Sequence, residues 1–375
     1  MKVTTTASAP RQLTGRDPFL DVLRSVAMAC VVFNHYFFVF YVWDPTGGFT
    51  QKIQDMGMPW VTWPFVFELA AFFFVGGAVI HRSALSMPFG TFAVRRVWRL
   101  GVPFTVALVS GLLLGGILKA MEVPACRPGN GSLLGLNPYM ACPAQFWLEP
   151  LWYMLIFIPL TLLSPLLARV YRGRHRWLLI AAVVGLVALS DVSHLSGGAA
   201  LPTSELAWLV PWLLGFSYAD GGLSRIRTPR LVLASTVALV VTIVAVAFGP
   251  YSAVLASYPR SLMTVAEALI SIPILVACRH VIGSWVDRGP VGWCVRVVGP
   301  RMMSIFVWHE PAMAIVVGVV AVLQLRLADH VGWLWLVQKL PWALVSLAVL
   351  WGLLKLVEPI ESIQPPRRLV AWLER

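Results

Sequence analysis

Long apolar runs alternate along this chain with short polar connections that carry most of its arginines. Runs of roughly 17 to 25 apolar residues have the length of a helix crossing a hydrocarbon core. Read this way, the pattern predicts helical spans at Phe19–Val42, Trp63–Ile80, Leu100–Leu118, Phe146–Leu167 and Trp177–Leu189. Five more follow at Ala207–Ala219, Leu231–Phe248, Leu262–Ala277, Met302–Leu323 and Val331–Leu354. The fifth and sixth are short, and the tenth contains Lys339.

Composition agrees with the pattern. A chain of 375 residues that is 58% hydrophobic and only 12% charged has too much apolar surface for one soluble core. The expected fold is all-α, a polytopic membrane helix bundle of about ten spans. The net charge of +12 raises the question of nucleic acid, but no soluble domain sequence flanks a basic groove. The lipid bilayer accounts for the charge better. With the N-terminus inside, the inner segments hold 22 Lys and Arg and the outer loops 5, and Arg24 and Lys339 within the spans complete the 29. Cytoplasmic loops carry such an excess, so both termini are expected in the cytoplasm and the plasma membrane is the expected location. The first run is too long for a signal-peptide core and lacks a small-residue cleavage site after it. The expected organisation is a cytoplasmic segment at 1–18, one transmembrane domain at 19–357 and a cytoplasmic tail at 358–375.

Five cysteines divide by side. Cys126 and Cys142 share the longest outer loop, where an oxidising exterior permits a disulfide, and that bond is expected. Cys30, Cys278 and Cys294 have no metal-ligand spacing, and no metal site is expected.

The first run carries two residues that lipid does not favour. In "FLDVLRSVAMACVVFNHYFFVFYVW", Arg24 and His35 lie eleven residues apart. On a helix that is three turns, so the two share a face about 16 Å apart along the axis. A guanidinium at the centre of a span costs at least ~2.5 to 3.5 kcal/mol. Two readings follow: an anion holder and a proton acceptor at different depths, or an arginine paired with Asp21 and a histidine bonded to a neighbouring helix. His309, beside Glu310, is the second histidine within a span. His81 and His280 flank inner loops and His194 and His330 lie outside, so all four are expected in contact with water.

Several segments resemble, in order, the membrane-bound acyltransferase-3 family. "DVLRSVAMACVVFNH" is similar to the Arg-x10-His signature that opens it, and "AAFFFVGGAVIHRS" to its Phe-Phe-x-x-Ser-Gly second helix. "VRRVWRLGVPF" resembles its Arg-x-x-Arg motif, "LWYMLIFIPLTLLSPLL" its Leu-Trp-aromatic fourth helix, and "MMSIFVWHEPAMAI" its late Tyr-Leu-x-His segment. Two departures stand out: Gly76 takes the place of the usual serine, and the acidic residue that often precedes the Phe pair is absent, with Glu68 two positions earlier.

The resemblance implies an O-acyltransferase that moves an acetyl or other short acyl group from acyl-coenzyme A to a hydroxyl of a glycan, glycolipid or related acceptor. Acyl-coenzyme A would be a substrate, with no tightly bound cofactor. A neutral histidine suits the base that takes the hydroxyl proton near physiological pH; His35 is that candidate, and Arg24 would help to set up the site. Arg95, Arg96 and Arg99, clustered on the inner side, would meet the phosphates of the donor. Glu68, Trp152 and His309 are further candidates for the site. The rival from another class is a transporter or flippase of a lipid-linked or glycan substrate, using the same polar residues as a path. Such transporters often show inverted repeats with broken helices, and the chain has no such pair.

Overall fold

The computed structural model describes residues 17–44, 48–53, 59–122, 144, 147–148, 150–173, 176–197, 202–248, 262–323, 325 and 333–366. Cys126, Cys142 and His330 lie outside the described residues, and so does the expected disulfide. Among the described residues ten helices carry the fold: α1 (Pro18–Phe38), α2 (Pro59–Ser86), α3 (Phe89–Ala120), α4 (Leu151–Arg172), α5 (Arg176–Leu195), α6 (Leu209–Ala219), α7 (Thr228–Phe248), α8 (Leu262–Ala277), α9 (Gly289–Val322) and α10 (Trp333–Glu361). A 3-10 segment, Pro202–Trp208, leads into α6, and a short helix, Arg279–Gly283, follows α8. Each predicted span falls on one of the ten. Seven of them (α2, α3, α4, α5, α7, α9 and α10) are long and apolar enough to cross a membrane. The protein is an all-helical, multi-pass membrane bundle.

The helices α2, α3 and α9 run well beyond the predicted spans, and two predicted spans overrun their helices by several residues. The first span was drawn through Val42, but the helix ends at Phe38 and the chain turns into an antiparallel hairpin, β1 (Val39–Asp44) with β2 (Gly48–Ile53). Val39–Trp43 is made of aromatic and β-branched residues, which favour a strand once the helix has ended. The fourth span was drawn from Phe146, whereas α4 starts after Pro150. Pro150 suits that flank, because the first turn of a helix has no use for the N–H that proline lacks.

The short helix α6 is buried nearly all round, with Leu209, Val210, Trp212, Leu213, Gly215 and Phe216 inside. It crosses α2 closely because both helices place glycine at the crossing. A Cβ on Gly77 would strike the carbonyl oxygen of Trp212, and one on Gly215 would strike that of Phe74. Small residues at helix interfaces allow this approach within a membrane. The departure at Gly76 has the same cause: a Cβ there would lie 2.8 Å from ring atoms of both Phe157 and Trp212. Trp212 is further fixed by its indole N–H, which donates to Ser164 Oγ at 3.0 Å.

At the inner end the structure corrects the expectation for His81. It is completely buried, and its Nε2 lies 2.8 Å from Asp220 Oδ1. Arg172 Nη2 reaches the same carboxylate oxygen at 2.7 Å. Although partial burial works against the charge, hydrogen bonds from Arg172 and His81 hold the Asp220 carboxyl below its ordinary pKa. α2 and α4 are thus tied to the end of α6. The histidine was read as solvated because it lies near a loop in sequence, while its partner comes from a distant segment.

Candidate active site

α1 and α9 lie side by side and parallel. Cys294 Sγ meets Ser25 O at 3.4 Å near their inner ends, and Tyr36 Oη donates to His309 O at 3.0 Å further out. Gly299 allows the approach, since a Cβ there would stand 3.3 Å from Ser25 Oγ. The pairing brings the two span histidines together.

His35 and His309 face each other edge to plane, with ring centroids 4.8 Å apart at 81°. His35 Nδ1 lies directly against Glu310 Oε1. Glu310 is completely buried, while the His35 side chain keeps 28% of its exposure. The carboxylate therefore backs the ring at Nδ1, and the partly exposed side chain keeps the imidazole within reach of a substrate. A buried carboxylate on Nδ1 fixes the tautomer and stabilises the imidazolium that forms when Nε2 takes a proton.

His309 is held differently. Its Nδ1 lies 2.6 Å from Phe306 O, a group that only accepts, so Nδ1 carries the proton and Nε2 the lone pair. Among the described residues no hydrogen-bond partner meets Nε2, although the residue is only 1% exposed. Asn34, next to His35, donates from Nδ2 to Glu68 Oε1 at 3.3 Å, and Glu68 is buried. The predicted candidates Glu68 and His309 thus join His35 in one polar cluster.

Around the cluster the walls are aromatic. Phe306 packs on His309 at 5.6 Å between centroids, on Tyr153 at 4.5 Å and on Phe72 at 6.3 Å. Such walls keep water away and strengthen the electrostatics within. Trp152 stands edge-on to Tyr153 at 6.1 Å and lies 6.2 Å from Trp208.

The ligating atoms of His35, His309 and Glu310 lie within 4.8 Å of one another, so the three could hold a metal. A cation bound by all three would have to part His35 from Glu310, which are in direct contact. As they stand, the groups fit the sharing of a proton.

The predicted arginines lie apart from the histidines. Arg24 Nη2 pairs with Asp21 Oδ1 at 2.7 Å, three turns below His35. Arg96 turns inward over the Phe92 ring and donates to Ser83 Oγ at 2.8 Å, while Arg95 and Arg99 are exposed. Spacing along the chain did not point to Asn34, Tyr36 or Phe306 as parts of the site. Glu310 was visible as a carboxylate within a span, which is rare unless functional, but its partner was not.

Helices distant in the chain, α1 and α9, therefore join a histidine to a buried carboxylate within the membrane bundle. A family model described as an acyltransferase domain matches residues 17–354, and the chain belongs to this family, the membrane-bound acyltransferase-3 family. The match runs from the start of α1 into α10 and includes every residue of the cluster. No curated protein and no solved structure matches the chain.

Proposed function

We propose that this membrane acyltransferase takes an acetyl or other short acyl group from acyl-coenzyme A on the cytoplasmic side. It delivers the group to a hydroxyl of a glycan, glycolipid or related acceptor. The observation that carries this reading is the buried carboxylate behind a partly open histidine. The acceptor hydroxyl gives its proton to His35 Nε2 while its oxygen attacks the thioester carbonyl. The C–S bond then breaks, and the departing thiolate recovers the proton from the His35 imidazolium. Glu310 holds the ring and balances its charge in the interval, and Asn34 and Glu68 flank it.

The donor's phosphates meet the inner arginines Arg95, Arg96 and Arg99. Arg24 lies on the helix that carries the base and helps to set up the site. Acyl-coenzyme A is consumed as a substrate.

The test is turnover of labelled acetyl-coenzyme A by purified protein. General-base assistance is typically worth 10² to 10⁴ in rate. His35→Asn keeps a hydrogen-bonding side chain but cannot serve as the base, so kcat should fall by about that factor while coenzyme A still binds. Near-normal turnover in folded, donor-competent His35→Asn would remove His35 from the mechanism.

A further inference from the structure

The segment of α9 that carries His309 and Glu310 lies between two prolines, Pro300 and Pro311. Proline has no N–H, so Pro311 leaves the Val307 carbonyl without its helical donor, and its ring crowds that carbonyl. The backbone is therefore least constrained at the turn on which the site depends. Other groups hold this turn from outside.

On one side, Tyr36 bonds the His309 carbonyl. On another, the end of α10 grips three residues that share a face of α9. Glu361 Oε1 accepts from Trp308 Nε1 at 2.8 Å, Glu361 Oε2 accepts from Ser304 Oγ, and Glu358 Oε1 lies 3.6 Å from Arg301 Nη2. Trp308 is buried and adjoins His309 in sequence, and its ring stands edge-on to Trp147 at 5.9 Å. Trp147 Nε1 donates to Ser110 Oγ of α3 at 3.0 Å. Just beyond Glu361, the Ile363 carbonyl accepts from Trp98 Nε1 at 2.7 Å. Trp98 lies between Arg96 and Arg99, so the strand of chain leaving α10 is anchored to the arginine-bearing turn of α3.

We propose that Glu361 is a positioning residue for the transfer reaction: through Trp308 it sets the orientation of the His309–Glu310 turn against His35. The inference rests on the reading of His35 and Glu310 as the catalytic pair. Glu361 does not touch the reacting atoms. It supplies, from the last helix, the restraint that Pro311 removes from the backbone.

Three variants of the full-length purified protein test this: Glu361→Gln, Trp308→Phe and the double variant, each shown to be folded by gel filtration and thermal unfolding. Trp308→Phe keeps a buried ring and removes the N–H, so it remains informative if Glu361→Gln does not fold. Displacement of reacting groups by about 1 Å can cost ~10²-fold, and each single variant should lose about 10- to 100-fold in kcat for acetyl-coenzyme A turnover. KM and coenzyme A affinity should stay within about twofold, because the donor arginines are untouched. The double variant should be no slower than the slower single one, since Trp308→Phe removes the donor of this contact and Glu361→Gln removes the charge that strengthens it. A purely structural role predicts instead a lower unfolding temperature with unchanged kcat per folded molecule, and that result would overturn the proposal. His35→Asn, run beside them, separates the two ideas. Full activity there sinks the catalytic pair itself, while full activity in Glu361→Gln, with His35→Asn inactive, sinks only the positioning role.

Discussion

His35 and Glu310 come from opposite ends of the chain, and the sequence makes each conspicuous for a different reason. His35 sits in an apolar run that also holds Arg24, and such groups are placed in a membrane only where something compensates them. Its pairing with Glu310 was hidden, because contacts between helices leave no spacing to read along one of them. The pair yields a test at the level of one atom. Glu310→Gln keeps the shape of the side chain but removes the negative charge opposite the developing imidazolium. A charge-assisted hydrogen bond is worth about 1.5 to 3 kcal/mol, so kcat should fall roughly 10- to 150-fold. Rapid-quench measurement of acyl transfer would check this, and coenzyme A binding should be unaffected. Arg24 was legible as an oddity for the same reason as His35. The structure pairs it with Asp21, three residues earlier on the same helix.

Among elements, length was the easiest property to foresee and closeness the hardest. The short helix α6 is a marginal span by length, yet seven of its eleven residues are buried, packed where α2 gives up its side chains at Gly76 and Gly77. Hydropathy distinguishes lipid from water, not protein from lipid, so α6 and the largely exposed α7 look alike in sequence. Their glycines differ in consequence. Gly77→Ala sets a methyl group against the backbone of Trp212, which cannot turn aside, and should cost about 1 to 3 kcal/mol or more. Gly185 in α5 has nothing within 4 Å of its would-be Cβ, so Gly185→Ala should be neutral or stabilise by up to ~1 kcal/mol. Thermal unfolding of the two variants in the same detergent would measure the contrast.

At the scale of the whole molecule, the inner end is laced together by ionisable groups whose partners lie far apart in sequence. His81 of α2 and Arg172 of α4 meet on Asp220, while Tyr218 Oη donates to Asp17 Oδ2 at 2.7 Å beside the start of α1. Because the folded state lowers the Asp220 pKa, the unfolded state binds its proton more readily. The stabilisation is therefore complete above the ordinary Asp pKa of about 3.9 and is lost as pH falls through the lower folded value. Unfolding temperature should change little on this account from neutrality to about pH 5 and drop below about pH 4, whereas Asp220→Asn should start lower and lose this part of the acid dependence. A scan of unfolding temperature against pH for both proteins decides it. The number of spans could be read from hydropathy because solvent preference is a local property. The lacing could not, because it depends on which inner ends the bundle brings together.

The parallel contact between α1 and α9 also orders events in time. Tyr36 and His309 are separated by 273 residues, which a ribosome making about 5 to 20 residues per second takes roughly 14 to 55 s to translate. Throughout that interval the nascent first helix holds Asn34, His35 and Tyr36 in the bilayer before Glu310 and the His309 carbonyl exist. α2 emerges first and brings Glu68 to Asn34, so this early contact is the one available to hold the polar face of the first helix until its later partners are made.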